Sequence, residues 1–238
     1  NRKTDSNNDS GISTDYIGMS DDYPEADYAT RARIEEAHKN WQIGLIWTLQ
    51  NHPRVPESIR QSHAKWGLPK DEFVGNGHWS PQLYVREARR LVNDQVIDEN
   101  AILKRTTEQS VGMGSYKMDS HHTQYYVAGD GFVAAEGDVQ KAINGPYEID
   151  YRALTPREEE CANLIVPVCL AASHIAYGSI RMESVFMILG QSAGTAAALA
   201  VEGGTSVQQV PYGKLRNDLE RDGQVLKMPA SSRPSNGG

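Results

Sequence analysis

The sequence predicts an α+β chain, and three observations carry that prediction. Apolar residues recur at helical spacing through the first hundred positions, aromatic and branched residues then cluster in short runs between glycines, and a final stretch returns to an apolar run followed by a long small-residue helix. Helices, then antiparallel strands, then a strand and a helix form the expected order. The expected division is a helical and antiparallel-strand domain over residues 1–153, a carboxy-terminal segment over 154–228 and a disordered tail over 229–238.

Residues 1–22 are rich in Asp, Asn, Ser and Gly, as in a loop. Pro24 suits the first turn of a helix running to Gln50, along which Ile34, Ala37, Trp41, Leu45 and Thr48 follow helical spacing. Pro56 to Trp66 is a second, shorter helix. Pro69 to Pro81 is turn-rich. Leu83 to Asp98 is predicted as an amphipathic helix through Leu83, Ala88, Leu91, Val92 and Gln95, with Glu87 and Arg90 paired across a turn. Gln124 to Val127, Phe132 to Ala135 and Tyr147 to Tyr151 read as short antiparallel strands. Asn163 to Val168 has the apolar run of a buried strand, with Pro167 marking an end or an edge. Ser184 to Glu202 contains no proline, and Gly190, Gly194 and Ala198 recur every four residues to make one smooth helix face. Pro211 to Asp222 closes the chain with Leu215 and Leu219 one turn apart and Gly223 in a stop position.

Composition excludes several classes. With 39% hydrophobic and 23% charged residues in 238, the bulk of the chain is globular. A net charge of -7 and a pI near 5.5 argue against nucleic acid as the main partner, which would need a concentrated basic face. No uninterrupted apolar run approaches the roughly 20 residues of a bilayer span, so no membrane partner is expected. Cys161 and Cys169 flank the predicted strand, which would hold them about 26 Å apart, so both are expected as free thiols.

The run from Asn163 to Glu202 resembles the carboxy-terminal flavin segment of bacterial FAD-dependent oxidoreductases. Six further segments resemble the same group in the same order: KTDSNN at Lys3, STDYIG at Ser13, YPEADYATR at Tyr23, LYVREARR at Leu83, GMGSYKMDSHH at Gly112 and SHIAYGSIRME at Ser173. That resemblance implies FAD as cofactor and a last segment that completes an FAD-binding domain. The family opens with a glycine-rich dinucleotide fingerprint, and no G-x-G-x-x-G occurs here. Gly112 to Tyr116 leads toward a strand-like run, not a helix, so it fails the structural context of that fingerprint. The chain is therefore expected to be the carboxy-terminal part of a longer bacterial enzyme, cytoplasmic or periplasmic. Its partners would be a small-molecule substrate and the amino-terminal half of the same enzyme, with self-association through the 184–202 helix as a further expectation.

Chemistry is expected first at the connection before Ser184. Reduction places negative charge on one edge of the flavin ring, which a helix N-terminus or a cation stabilises. Ser173, Gly178, Ser179, Arg181, Met182, Glu183 and Ser184 are the cofactor-binding candidates implied. The plain alternative is a surface Arg181 paired with Glu183. His174 is the candidate proton acceptor for a substrate hydroxyl, with Tyr177 beside it; the alternative is a structural imidazole. Substrate-binding candidates are Tyr116 and His121 on an edge that either lines a pocket or is polar strand surface, Arg86 and Arg89 three apart on one helix face, a pair whose commoner fate is solvated surface, and Lys3, Asn7 and Asn8 through the KTDSNN resemblance. Asp119, His121 and His122 supply at most two ligands from one strand face, so no metal is expected. Some relatives carry carbohydrate-degradation labels, which implies a sugar-derived substrate as one class. The rival class is a non-catalytic ligand-binding or scaffold domain stacking sugars on Trp41, Trp47, Trp66 or Trp79; core packing is the expected fate of these side chains, except Trp79, which beside Gly77 and His78 in a loop keeps a stacking role open.

Overall fold

The computed structural model describes residue 7 and residues 12–228. Lys3, Asn8 and the expected tail lie outside the described residues. The chain forms two compact units, one built from residues up to 87 together with His121–Asp138 and the other from Ala88–Ser120 and Val139 onward. Both mix helix with two-stranded antiparallel sheets, so the fold is α+β as expected.

In the first unit, α1 (Tyr28–Asn51) starts at Asp27, whose carboxylate accepts from the Thr30 amide at 2.7 Å. An acidic cap of this kind satisfies an orphan donor and favours the positive helix end, so the helix begins after Asp27 and not at Pro24. The short α2 (Glu57–His63) packs beside it, and Gln50 Nε2 ties the pair by donating to the carbonyls of His63 and Trp66. A hairpin pairs β3 (Gln124–Val127) with β4 (Val133–Glu136), with Tyr125 opposite Ala135. Of the tryptophans, Trp41 stacks on Tyr16 at 4.8 Å, whereas Trp47 and Trp66 are exposed, which corrects the expectation that these two pack in a core.

The second unit holds the main core. β1 (Ser110–Gly114) pairs with β6 (Tyr147–Asp150), and β2 (Met118–Ser120) with β5 (Val139–Lys141). α3 (Glu99–Lys104), α4 (His174–Ile180), α5 (Glu183–Gly203) and α6 (Tyr212–Arg221) surround them. Leu189 and Ala196 of α5, Leu215 and Leu219 of α6, Val111 of β1 and Ile149 of β6 are all fully buried. Glycines make the close approaches possible. A side chain at Gly112 would meet Ile188 at 2.7 Å, and one at Gly114 would meet the Tyr147 hydroxyl at 2.5 Å. The glycines of the Gly112 segment thus serve packing in a strand. Gly223, at φ 85°, lets the chain turn after α6.

Two expected elements do not form. Residues 83–98 contain no helix. The segment runs extended beside residues 169–173, with Leu91 N donating to Cys169 O and Ile97 N to Ala171 O. Its apolar spacing reflects two separate insertions: Ile97 is buried and Leu91 packs on the core, while Val92 is exposed. Residues 163–168 form no strand either. Pro167 lacks a ladder donor, Leu164 and Val168 face outward, and the run is tied by Val166 N to Leu154 O. Cys161 and Cys169 are free thiols. Residues 153 and 154 are both buried in a 3-10 turn of the second unit.

Among the described helices, α5 is long and apolar enough to cross a membrane. One side of it, including Val185, Leu189 and Ala196, is buried in the core, as in the central helix of a folded domain. The opposite side is open: Met187, Gly190, Gly194 and Val201 are exposed.

Candidate functional site

The connection from Ser173 to Ser184 folds into two helices meeting at a sharp corner. Ser173 caps α4, its hydroxyl accepting from Ala176 N at 3.3 Å. α4 ends at Arg181, and α5 begins after Met182 with no side-chain cap. Glu183 and Ser184 in the first turn are exposed. An uncapped helix start leaves amide donors and the positive end of the helix dipole available.

Directly behind this start lies Arg181. It is buried, with 5% of its side chain exposed, and its Nη2 donates to the Asp119 carboxylate at 2.7 Å and to the Asp119 carbonyl at 3.2 Å. The pairing is therefore with Asp119 of β2 and not with Glu183. Gln140 donates to the other oxygen of Asp119, which leaves this carboxylate committed to the fold. Arg181 Nε is buried without a hydrogen-bond partner. Gly178 brings α4 against β2; a Cβ there would sit 2.6 Å from the Asp119 carbonyl oxygen.

The other candidates of α4 divide between surface and core. His174 is exposed in the first turn, and its Nε2 lies 2.9 Å from the Ser120 hydroxyl. Tyr177 is buried, donates to Val168 O at 3.1 Å and lies under Arg90 at 5.6 Å. Ser179 is fully buried, 2.8 Å from the Tyr147 hydroxyl, and donates to Tyr116 O. Burial pushes the Tyr147 phenol up to about 12, the Ser179 bond pulling the other way, so this hydroxyl is a fixed donor and acceptor and not an acid. Tyr116 is part-exposed in the second unit.

His121 and Arg86 belong to the first unit and meet a residue absent from the sequence expectations, Asp15. His121 Nδ1 lies 2.7 Å from Asp15 Oδ2, and Arg86 Nη2 lies 3.6 Å from Oδ1. Burial raises the Asp15 carboxyl, but the His121 hydrogen bond and the Arg86 charge outweigh it and hold the group below the usual carboxylate range. Arg86 does not share a helix face with Arg89, because that helix does not form; the two arginines belong to different units. Asn7 is exposed. No local signal marks Asp15, whose partner His121 is 106 residues away.

An uncapped helix start offers amide donors and the positive end of the helix dipole, an arrangement that can receive a group carrying or gaining negative charge. The chain belongs to the FAD dependent oxidoreductase family, whose sequence profile matches residues 1–219. No curated protein and no solved structure matches significantly. The donor set at the α4–α5 corner, with the unpartnered Arg181 Nε behind it, fits the electron-rich edge of a flavin ring. Among the described residues, the Gly112 to Gly114 run is a strand, not a pyrophosphate-binding turn. The family makes the chemistry flavin-linked redox.

Proposed function

We propose that this chain supplies the substrate side and the ring-facing helix start of an FAD-dependent oxidoreductase that passes hydride between a small, hydroxylated, sugar-derived substrate and the flavin. The observation that carries this reading is the α4–α5 corner, within a chain matched to the family over residues 1–219. The amides of Glu183 and Ser184 would face the ring edge, where the dipole of α5 stabilises added negative charge. When bound, the flavin supplies the two-electron acceptor. Arg181, neutralised in part by Asp119, fixes the corner and lends a buried donor. A substrate hydroxyl needs a proton acceptor, and His174 is the group of this corner with suitable chemistry. The exposed small-residue face of α5 would dock the glycine-rich dinucleotide unit of the enzyme.

The test is the visible spectrum of the full-length protein purified from its own source. Oxidised-flavin bands that bleach with dithionite are expected. A colourless protein that gains no bands on incubation with FAD would overturn the reading. The 238 residues alone should bind FAD weakly, since the pyrophosphate contacts of the family's fingerprint are missing from them.

A further inference from the structure

The hairpin of β3 and β4 is a ribbon with free edges: among the described residues neither strand has a third neighbour. Every residue of β3 is exposed, whereas all four of β6 are buried. The turn itself is firmly made. Gly131 N donates to Ala128 O at 2.9 Å, Ala128 N donates to Phe132 O at 2.8 Å, and Gly131 takes the left-handed conformation at φ 83°. Amides alternate in direction along an antiparallel strand, so with the Ala128 amide turned toward β4, those of Val127 and Tyr125 point away from it along the outer edge.

This edge carries none of the residues that guard an edge strand against addition of another chain. Lys, Arg and Pro serve that purpose, and none occurs between Thr123 and Asp138, where Asp130, Glu136 and Asp138 are acidic. The pairings of Tyr125 with Ala135 and of Val127 with Val133 put these four side chains on one face. Val127 and Val133 are each 71% exposed, so that face is apolar and uncovered. The other face holds Gln124, Tyr126, Ala134 and Glu136, with Gln124 donating to the Glu136 carboxylate. A two-stranded ribbon is marginal by itself and is stabilised by a third strand. A strand laid along β3 would set alternate side chains beside Tyr125 and Val127, where apolar groups fit. The side chains between them would meet the Tyr126 ring and the Glu136 charge, both of which favour a cation. A second copy of the hairpin would bring acid to acid, and an anionic lipid surface would be repelled in the same way.

We propose that the outer edge of β3 is a docking site for an extended polypeptide segment of alternating apolar and cationic residues, added to the hairpin as a third strand. Main-chain bonds involving the Tyr125 and Val127 amides supply affinity, and the two unlike faces of the ribbon select the alternation. The surface belongs to the first unit and makes no use of the flavin reading.

The experiment is amide hydrogen exchange of the full-length protein, read residue by residue, with and without an acetylated octapeptide alternating arginine and valine. A glutamate–valine octapeptide is the control, and fluorescence anisotropy gives both affinities. Without peptide, the Ala128 amide should exchange slowly and those of Tyr125 and Val127 fast. The arginine–valine peptide should slow these two and bind about 10-fold tighter than the glutamate–valine peptide, the margin of a few cross-strand charge and cation–π contacts. Val127→Pro removes an amide that β4 does not use and should weaken the arginine–valine peptide about 10-fold, with Ala128 still slow. Glu136→Lys should erase the preference for the cationic peptide. Tyr125 and Val127 amides already slow in the free protein, equal binding of the two peptides, or unweakened binding by a Val127→Pro variant that keeps Ala128 slow would overturn the site. If Val127→Pro loses the Ala128 protection, Glu136→Lys decides: an erased preference supports the site and an unchanged one overturns it.

Discussion

Two of the acid–arginine arrangements in this chain, one in each unit, differ in what their burial permits. Asp119 and Arg181 are sealed, with side chains 8% and 5% exposed and a 2.7 Å contact. Asp15 and Arg86 are more open, with side chains 21% and 20% exposed, and stand 3.6 Å apart, with His121 2.7 Å from the other Asp15 oxygen. The sealed pair cannot exchange partners without exposing a charge to a dry interior, so it holds β2, α4 and the start of α5 in one geometry. The open cluster keeps water or ligand within reach and can trade contacts. Burial thus separates an arginine that is locked into the fold from one that solvent can still reach.

The largest expected effect breaks the sealed pair. Arg181→Ala removes the cation that faces the buried Asp119 carboxylate and should cost about 3–5 kcal/mol in denaturant unfolding. Replacing both residues by apolar side chains should recover much of that loss. A small loss on Arg181→Ala would show that the pair is wetter than its exposure indicates, and would bring Arg181 closer in kind to Arg86. Because of this cost, Arg181→Ala would confound any reading of its effect on flavin.

A smaller loss is expected at Gly178. Alanine there would place its Cβ 2.6 Å from the Asp119 carbonyl oxygen, a backbone atom that cannot swing aside. Overpacking of this kind costs about 1–3 kcal/mol, so thermal unfolding of Gly178→Ala should move down measurably. An unchanged midpoint would mean that α4 can lift from β2 freely.

The open cluster should show itself through pH. The Asp15 carboxyl is held below its ordinary value in the folded chain, so its contribution is fully present above about pH 4, the unfolded value. It fades as pH falls through the lower folded value. Asp15→Asn should therefore lower stability at neutral pH and flatten this part of the acid dependence. Equal acid dependence in wild type and variant would remove Asp15 from any coupled cluster.

Much of the helical framework was legible because it rests on local signals. The Asp27 cap, the proline-free run of α5 and the Leu215–Leu219 spacing each lie within a few residues. The 124–136 hairpin was legible for the same reason. What failed was decided at long range. Leu91 and Ile97 imitate an amphipathic helix, yet each is placed by a separate backbone bond to residues 169–171, and no window along the sequence contains both partners. The run at 163–168 has strand composition but no neighbour to complete a ladder. In the candidate site, the start of α5 was legible from its proline-free run, but the preceding connection, expected as a polar turn, folds into the helix α4, and Arg181 with Asp119, and His121 with Asp15, join residues 62 and 106 apart.

The flavin assignment of the α5 start is tested most directly by a redox titration of flavin-loaded full-length protein carrying Ser184→Glu. Ser184 is exposed, and an acidic residue in a first turn stabilises the helix, so folding should be unaffected. If the amides of this turn face the reduced ring, the added negative charge should lower the flavin midpoint potential by about 20 mV or more, roughly 1 kcal/mol for a two-electron couple. An unchanged potential, with flavin fully bound, would contradict the placement of the helix start at the flavin.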